Sequence, residues 1–279
     1  MAESIQKKPS VRRIILLDEV RGFCILCMII YHALVIADRF FSYQIAGTLW
    51  HALSYIQPLY VLAFLLISGI SCRLSHSNLQ RGLKLAGISI LISVLTVPVL
   101  HAFSFSGAED LFGILHCLAA NILLFAAVSS LWPRVSAAAQ KLRRRRLSND
   151  VPLANESSAS TGNASGSRLA KYGIFLCAVL FIITSFFFPV SNAETNRFFW
   201  LGIHNADFFS VDYYPLLPWS FPFFLGTFLG ISVKEGRTPA WAYPSRVKAF
   251  AFVGRHALLF YLIHAPLLYL LFYSVSALT

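Results

Sequence analysis

Long apolar runs separated by short polar connections dominate the chain. The runs fall at roughly 16–37, 51–72, 83–101, 111–131, 172–189, 213–233 and 254–275, each near the ~20 residues needed to cross a bilayer's hydrocarbon core. Inside that core the backbone has no water to bond, so each run should satisfy its own N–H and C=O groups as a helix. No alternating strand pattern of the membrane-barrel type is present. The pattern predicts an all-α fold, a polytopic transmembrane helical bundle of about seven spans, organised as a single domain over residues 1–279. Segment 134–171 is the one low-complexity stretch. It carries Lys141-Leu-Arg-Arg-Arg-Arg146 and continues rich in Ser, Asn and Gly through Ser167. It is expected to be a flexible basic cytoplasmic loop whose arginines face lipid headgroups.

The polar connections carry their own pattern. Five Lys or Arg precede or open the first run, three lie between the second and third, eight in the 134–171 loop and five between the sixth and seventh. The other side holds only Arg39 and Arg197. Cytoplasmic connections are enriched in Lys and Arg, so the N-terminus is expected inside and, with seven spans, the C-terminus outside. Asp18, Glu19 and Arg21 interrupt the first run and no clean cleavage site follows, so an uncleaved first helix is expected. Asn155-Glu-Ser157 and Asn163-Ala-Ser165 match the glycosylation pattern but fall on the inner side, where they should stay unmodified.

Composition agrees with this reading: 57% of residues are hydrophobic and 13% charged, against about 25% charged in soluble domains. The net charge of +11 could suggest nucleic acid, but its confinement to short loops marks membrane orientation instead, and no nucleic-acid partner is expected. The five cysteines lie in or at the edge of spans and read as packing residues. Neither a disulfide framework nor a metal site is expected.

Ionisable groups inside spans cost about 2.5–3.5 kcal/mol each on insertion scales and ask for a reason. Arg21 and His32 are eleven residues apart, about three helical turns and ~16 Å of rise. They share one face of the first helix, with Asp18 near the same stripe. Arg21 would sit at the inner interface, and His32 past the midplane, with no interface to reach. A second group lies at the outer ends: His51, His101, His116 and Asp212. They are expected to face one compartment with His32, each with an interhelical hydrogen bond as the alternative reading. In the sixth run Pro215 suits a first helical turn; Pro218 and Pro222 should free carbonyls and break the helix. Gly226-x-x-x-Gly230 permits close helix approach, within the chain or in an oligomer. His264, two residues before Pro266, reads as structural, bonding a freed carbonyl.

Four motifs occur in order: Leu17-Asp-Glu-Val-Arg-Gly22 with His32 following, Phe112-Gly-Ile-Leu-His-Cys-Leu-Ala119, Asp212-Tyr-Tyr-Pro-Leu-Leu-Pro-Trp219, and Gly254-Arg-His-Ala-Leu-Leu-Phe-Tyr-Leu-Ile-His264. Together they resemble the bacterial proteins grouped with the catalytic domain of heparan-alpha-glucosaminide N-acetyltransferase, over roughly residues 12–275. The Arg-to-His spacing is also similar to that of the membrane acyltransferases that O-acetylate surface polysaccharides, where that histidine is regarded as catalytic.

The resemblance implies a transmembrane acyltransferase moving acetyl from acetyl-CoA to an amine or hydroxyl of a sugar or glycan. It carries over Arg21, Gly22 and His32. In the sugar acetyltransferase the acting histidine lies nearer the second span, where this chain offers His51. Catalytic candidates are therefore His32, His51, His116 and Asp212. Donor phosphates should meet inner cations, for which Arg21, Arg73, Arg81 and Arg255 are the candidates. A transporter or binding protein without chemistry is the alternative, and a b-type haem protein with paired axial histidines a further one. An inner-membrane location is expected in a bacterium.

Overall fold

A computed structural model describes residues 13–102, 112–131, 161–208 and 212–278, without the side chains of 39–40, 96–102 and 161–169. Nine α-helices are described: α1 (Ile15–Phe41), α2 (Gln44–Ser54), α3 (Gln57–Leu74), α4 (Asn78–Ala102), α5 (Ile114–Leu131), α6 (Thr161–Phe187), α7 (Leu216–Lys234), α8 (Lys248–Arg255) and α9 (Ala257–Ser276). No strand forms among the described residues; an isolated bridge, Val190 to Ile203, ties the connection between α6 and α7. The protein is a polytopic helical membrane protein.

Six of these helices are long and apolar enough to cross a membrane: α1, α3, α5, α6, α7 and α9. The expected third span, 83–101, is not among these six; it falls on α4, whose 25 residues would extend about 37 Å. Its Leu83, Ile90, Leu91 and Val94 are exposed, as an apolar face turned to lipid tails would be. Helix α6 starts at Thr161, ahead of the expected start near 172, while 134–160 lies outside the described residues.

The chain divides into two compact units, Met1–Phe64 with Arg237–Thr279, and Leu65–Gly236. In the first, α1 packs against α8, α2 and α9. Two glycines set the closest of these approaches. A Cβ on Gly22 would strike the Phe250 carbonyl, and one on Gly254 would strike that of Asp18. Backbones can touch so closely only where no side chain intervenes. Helix α1 ends where Ser42 turns left-handed (φ 56°), its N–H donating to the Asp38 carbonyl at 3.1 Å.

The expected second span needs correction at its start. Residues 51–56 belong to α2 and its exit, and the span-length helix begins at Gln57. Pro58 explains the break. It has no N–H to give the Ser54 carbonyl and so cannot continue the incoming helix, whereas in the first turn of α3 the missing N–H costs nothing.

In the second unit α7 lies on α3 and α6 on α7. A Cβ on Gly69 would meet the Phe223 carbonyl, one on Gly226 the Leu66 carbonyl, and one on Gly230 the Arg73 Cβ. The Gly226-x-x-x-Gly230 approach is therefore intramolecular: both glycines are buried against α3. The proline-rich start of α7 is also simpler than expected. Pro215 caps the helix and Leu217 is extended (φ −104°, ψ 125°), so regular helix restarts at Pro218, where a missing N–H costs nothing. Only Pro222 withholds a bond from the helix interior.

Candidate functional site

The N-terminal end of α1 is built around two carboxylates. Asp18 is 5% exposed and holds Arg13 (2.7 Å) and Arg21 (3.0 Å), one on each carboxylate oxygen. The bond that Arg13 Nε donates to Asp18 raises the Arg13 pKa above its ordinary value. Glu19 faces the other way. One of its oxygens accepts from Ser245 Oγ at 2.8 Å and from the backbone N–H groups of Arg246 and Val247 at 2.6 and 2.9 Å. These donors lie just before α8, whose N-cap residue Val247 offers no side-chain bond of its own. Glu19 thus caps α8 from a distance, a role the sequence reading did not assign.

Three turns further along α1, His32 is buried at 8% exposure against His264 of α9, itself at 7%. His32 Nδ1 lies 3.0 Å from His264 Nε2, the rings stacked at 21° with centroids 5.0 Å apart. The second nitrogen of His264, Nδ1, lies 2.5 Å from the Tyr261 carbonyl. That is one residue before the Leu262 carbonyl, the one an N–H at Pro266 would have met. His264 therefore bonds a carbonyl of its own helix but not the freed one expected, and its other nitrogen engages His32, a pairing absent from the sequence reading. His264 and Pro266 in an apolar run were the available signal; the partner, 232 residues away, was not.

His51 occupies the last turn of α2 and is exposed. Its ring stacks on Trp50 at 4.0 Å. Trp50 donates from Nε1 to Asp38 at 3.0 Å and meets Tyr31 edge-on at 6.3 Å; Tyr31 in turn meets His32 at 5.9 Å. An aromatic ladder therefore leads from the exposed His51 to the buried His32 within one unit.

In the other unit, Asp212 is buried and its Oδ2 accepts the Ile114 N–H at 3.2 Å, supplying α5 with its N-terminal cap. His116 sits in the first turn of α5. The Gly113 N–H points at its Nδ1 (3.3 Å), and its Nε2 lies 3.3 Å from Ser93 Oγ of α4. A donor at Nδ1 makes that nitrogen the acceptor, so the Nε2–H donates to Ser93. The side chain of His101 lies outside the described residues.

The four cation candidates differ in setting. Arg81 and Arg255 are exposed. Arg21 is tied to Asp18. Arg73, in the last turn of α3, lies over the Phe125 ring at 5.9 Å and lines a cavity of about 450 Å³. His76, Asn78, Ser129, Lys234 and Glu235 line it too. His76 and Lys234 were not chosen from the sequence, although both sit in basic connections. Among the described residues no group of three or more His, Cys, Asp or Glu could hold a metal.

Residues 13–141 and 164–266 match the family described as heparan-alpha-glucosaminide N-acetyltransferase, catalytic. The chain belongs to this family. The match takes in every candidate named above, from Arg21 through His264, and makes the protein a multi-pass member of a membrane acetyltransferase family. No curated protein and no solved structure matches the chain.

Proposed function

We propose that this family member transfers acetyl from acetyl-CoA to an amine or hydroxyl of a sugar or glycan, as a protein of the cytoplasmic membrane in a bacterium. The observation that carries the reading is a buried imidazole, His32, on the stripe of α1 that begins at Arg21. An ionisable ring away from any interface is retained at a cost of kilocalories, and a general base or nucleophile is the chemistry that needs it.

Acetyl-CoA brings phosphates, and the Arg73, His76 and Lys234 cavity supports the donor side of the proposal. Its volume falls within the ~300–1,000 Å³ usual for small-molecule sites. Guanidinium and ammonium groups at its wall suit phosphate oxygens. By the distribution of Lys and Arg the ends of α3 and α7 face the cytoplasm, where acetyl-CoA is made available. His32 takes the acceptor's proton as the acceptor attacks the thioester. His51, exposed at the head of the aromatic ladder, is the rival base.

The test is proteoliposomes given radiolabelled acetyl-CoA and a panel of amino sugars and glycans, with CoA release and acetylated product both counted. His32→Ala should abolish transfer while leaving acetyl-CoA affinity near wild type. Full turnover in His32→Ala with loss in His51→Ala would move the chemistry to α2. Full turnover in both would remove the reading.

A further inference from the structure

The hydrogen bonds around the buried ring pair dictate where its protons sit. A backbone carbonyl only accepts, so His264 Nδ1, 2.5 Å from the Tyr261 oxygen, must carry a proton. In a neutral His264 the lone pair is then on Nε2. That atom lies 3.0 Å from His32 Nδ1, which must therefore be the donor. The proton of neutral His32 is on Nδ1, and its Nε2 is the basic atom. An imidazole's tautomer is set by the bond its other nitrogen makes, and here the chain of dictation starts at a main-chain oxygen of α9.

We infer that His264 is a positioning residue for the His32 base, fixing its tautomer and receiving a proton through it, so that the two imidazoles act as one relay. The inference rests on the acetyl-transfer reading above and adds a second residue to it. As the acceptor nitrogen or oxygen bonds to the acetyl carbon, the carbon–sulfur bond breaks and its electron pair leaves with the CoA sulfur. The acceptor's proton passes to His32 Nε2, and the His32 Nδ1 proton passes to His264 Nε2. His264 becomes the imidazolium, donating to Tyr261 from one nitrogen and to His32 from the other. The reverse shift returns the proton through His32 Nε2 to the CoA thiolate, and both rings regain their first state. Two imidazolium rings stacked this closely would repel strongly, so the pair takes up one proton and not two. The near-parallel rings and their shared burial suit a short proton path from which water is excluded. A purely structural histidine needs only the Tyr261 bond; the second contact, to His32, is what the relay uses.

The test has two independent arms, both on the full chain in lipid nanodiscs. In the first, long-range proton–nitrogen correlation spectra of ¹⁵N-histidine protein report each ring's tautomer, His32 being assigned by the signals lost in His32→Gln. Wild type should show His32 protonated at Nδ1, and His264→Phe should convert it to a mixture. In the second, His264→Gln keeps an oxygen able to accept from His32 Nδ1 but cannot take its proton. Its kcat should fall at least about 10²-fold, the lower range of acid–base contributions, with KM for acetyl-CoA within about twofold and a melting temperature near wild type. A wild-type His32 protonated at Nε2 overturns the relay even if acetyl transfer is observed. Wild-type kcat in His264→Gln overturns it as well. The expected tautomer with no acetyl transfer to any acceptor overturns the transferase reading, and the relay's role falls with it.

Discussion

The Glu19 cap gives a prediction whose size can be worked from the geometry. Glu19→Ala removes one carboxylate oxygen that serves Ser245 Oγ and the N–H groups of Arg246 and Val247 at 2.6–2.9 Å. Hydrogen bonds to a charged group contribute about 1.5–3 kcal/mol each, and loss of a helix cap alone costs about 0.5–2 kcal/mol. The three bonds share one oxygen and do not add. Arg246 and Val247 are themselves exposed, so water takes over part of the loss. A destabilisation of about 1–3 kcal/mol follows. Glu19→Gln keeps the acceptor but not its charge, and neutral bonds are roughly half as strong as charge-assisted ones; it should cost about half as much. The assay is detergent-titrated unfolding followed by a thiol-reactive dye, since Cys24, Cys72, Cys117 and Cys177 are buried in the folded protein. Glu19→Ala unfolding within about 0.3 kcal/mol of wild type would refute the cap, because even the lowest cap value exceeds that. Equal losses in the Gln and Ala variants would show that charge, rather than the acceptor oxygen, holds α8.

Gly254→Ala places a methyl on the Asp18 carbonyl and should cost about 1–3 kcal/mol of overpacking, read by the same titration; a neutral result would mean that α1 and α8 are not in backbone contact. Arg73→Ala should weaken acetyl-CoA binding about tenfold to a hundredfold, as loss of a charged donor implies, while Arg255→Ala, at an exposed position, should weaken it less; calorimetry decides between them. Asp212→Ala removes the α5 cap and should lower stability by about 0.5–2 kcal/mol; a loss of turnover without loss of stability would return Asp212 to the chemistry. Reporter fusions should place the N-terminus in the cytoplasm and the C-terminus outside, and both termini on one side would contradict the charge distribution.

Much of this protein is determined locally and is therefore legible along the chain. Crossing a membrane depends on the length and apolarity of one continuous segment, which is why the spans of α1, α5 and α9 could be placed from the residues alone. The Arg21–His32 stripe was equally legible, because 3.6 residues per turn puts both on one face whatever α1 packs against. The break ahead of α3 was available in principle: Pro58 states it, but the apolar run across 51–72 masks it.

Tertiary structure decided the partners. Nothing near Glu19 says that its carboxylate caps α8, and nothing near Gly226 says that it faces α3 rather than a second copy. His264 reads locally as a ring bonded to its own helix, and so it is, at one nitrogen. Its other nitrogen meets a residue 232 positions away, a contact set by the rotation and depth of α1 against α9. Periodicity gives the face a residue occupies on its own helix. Which face of which neighbour it meets depends on close-packed contacts among all the helices at once, and so belongs to the folded protein.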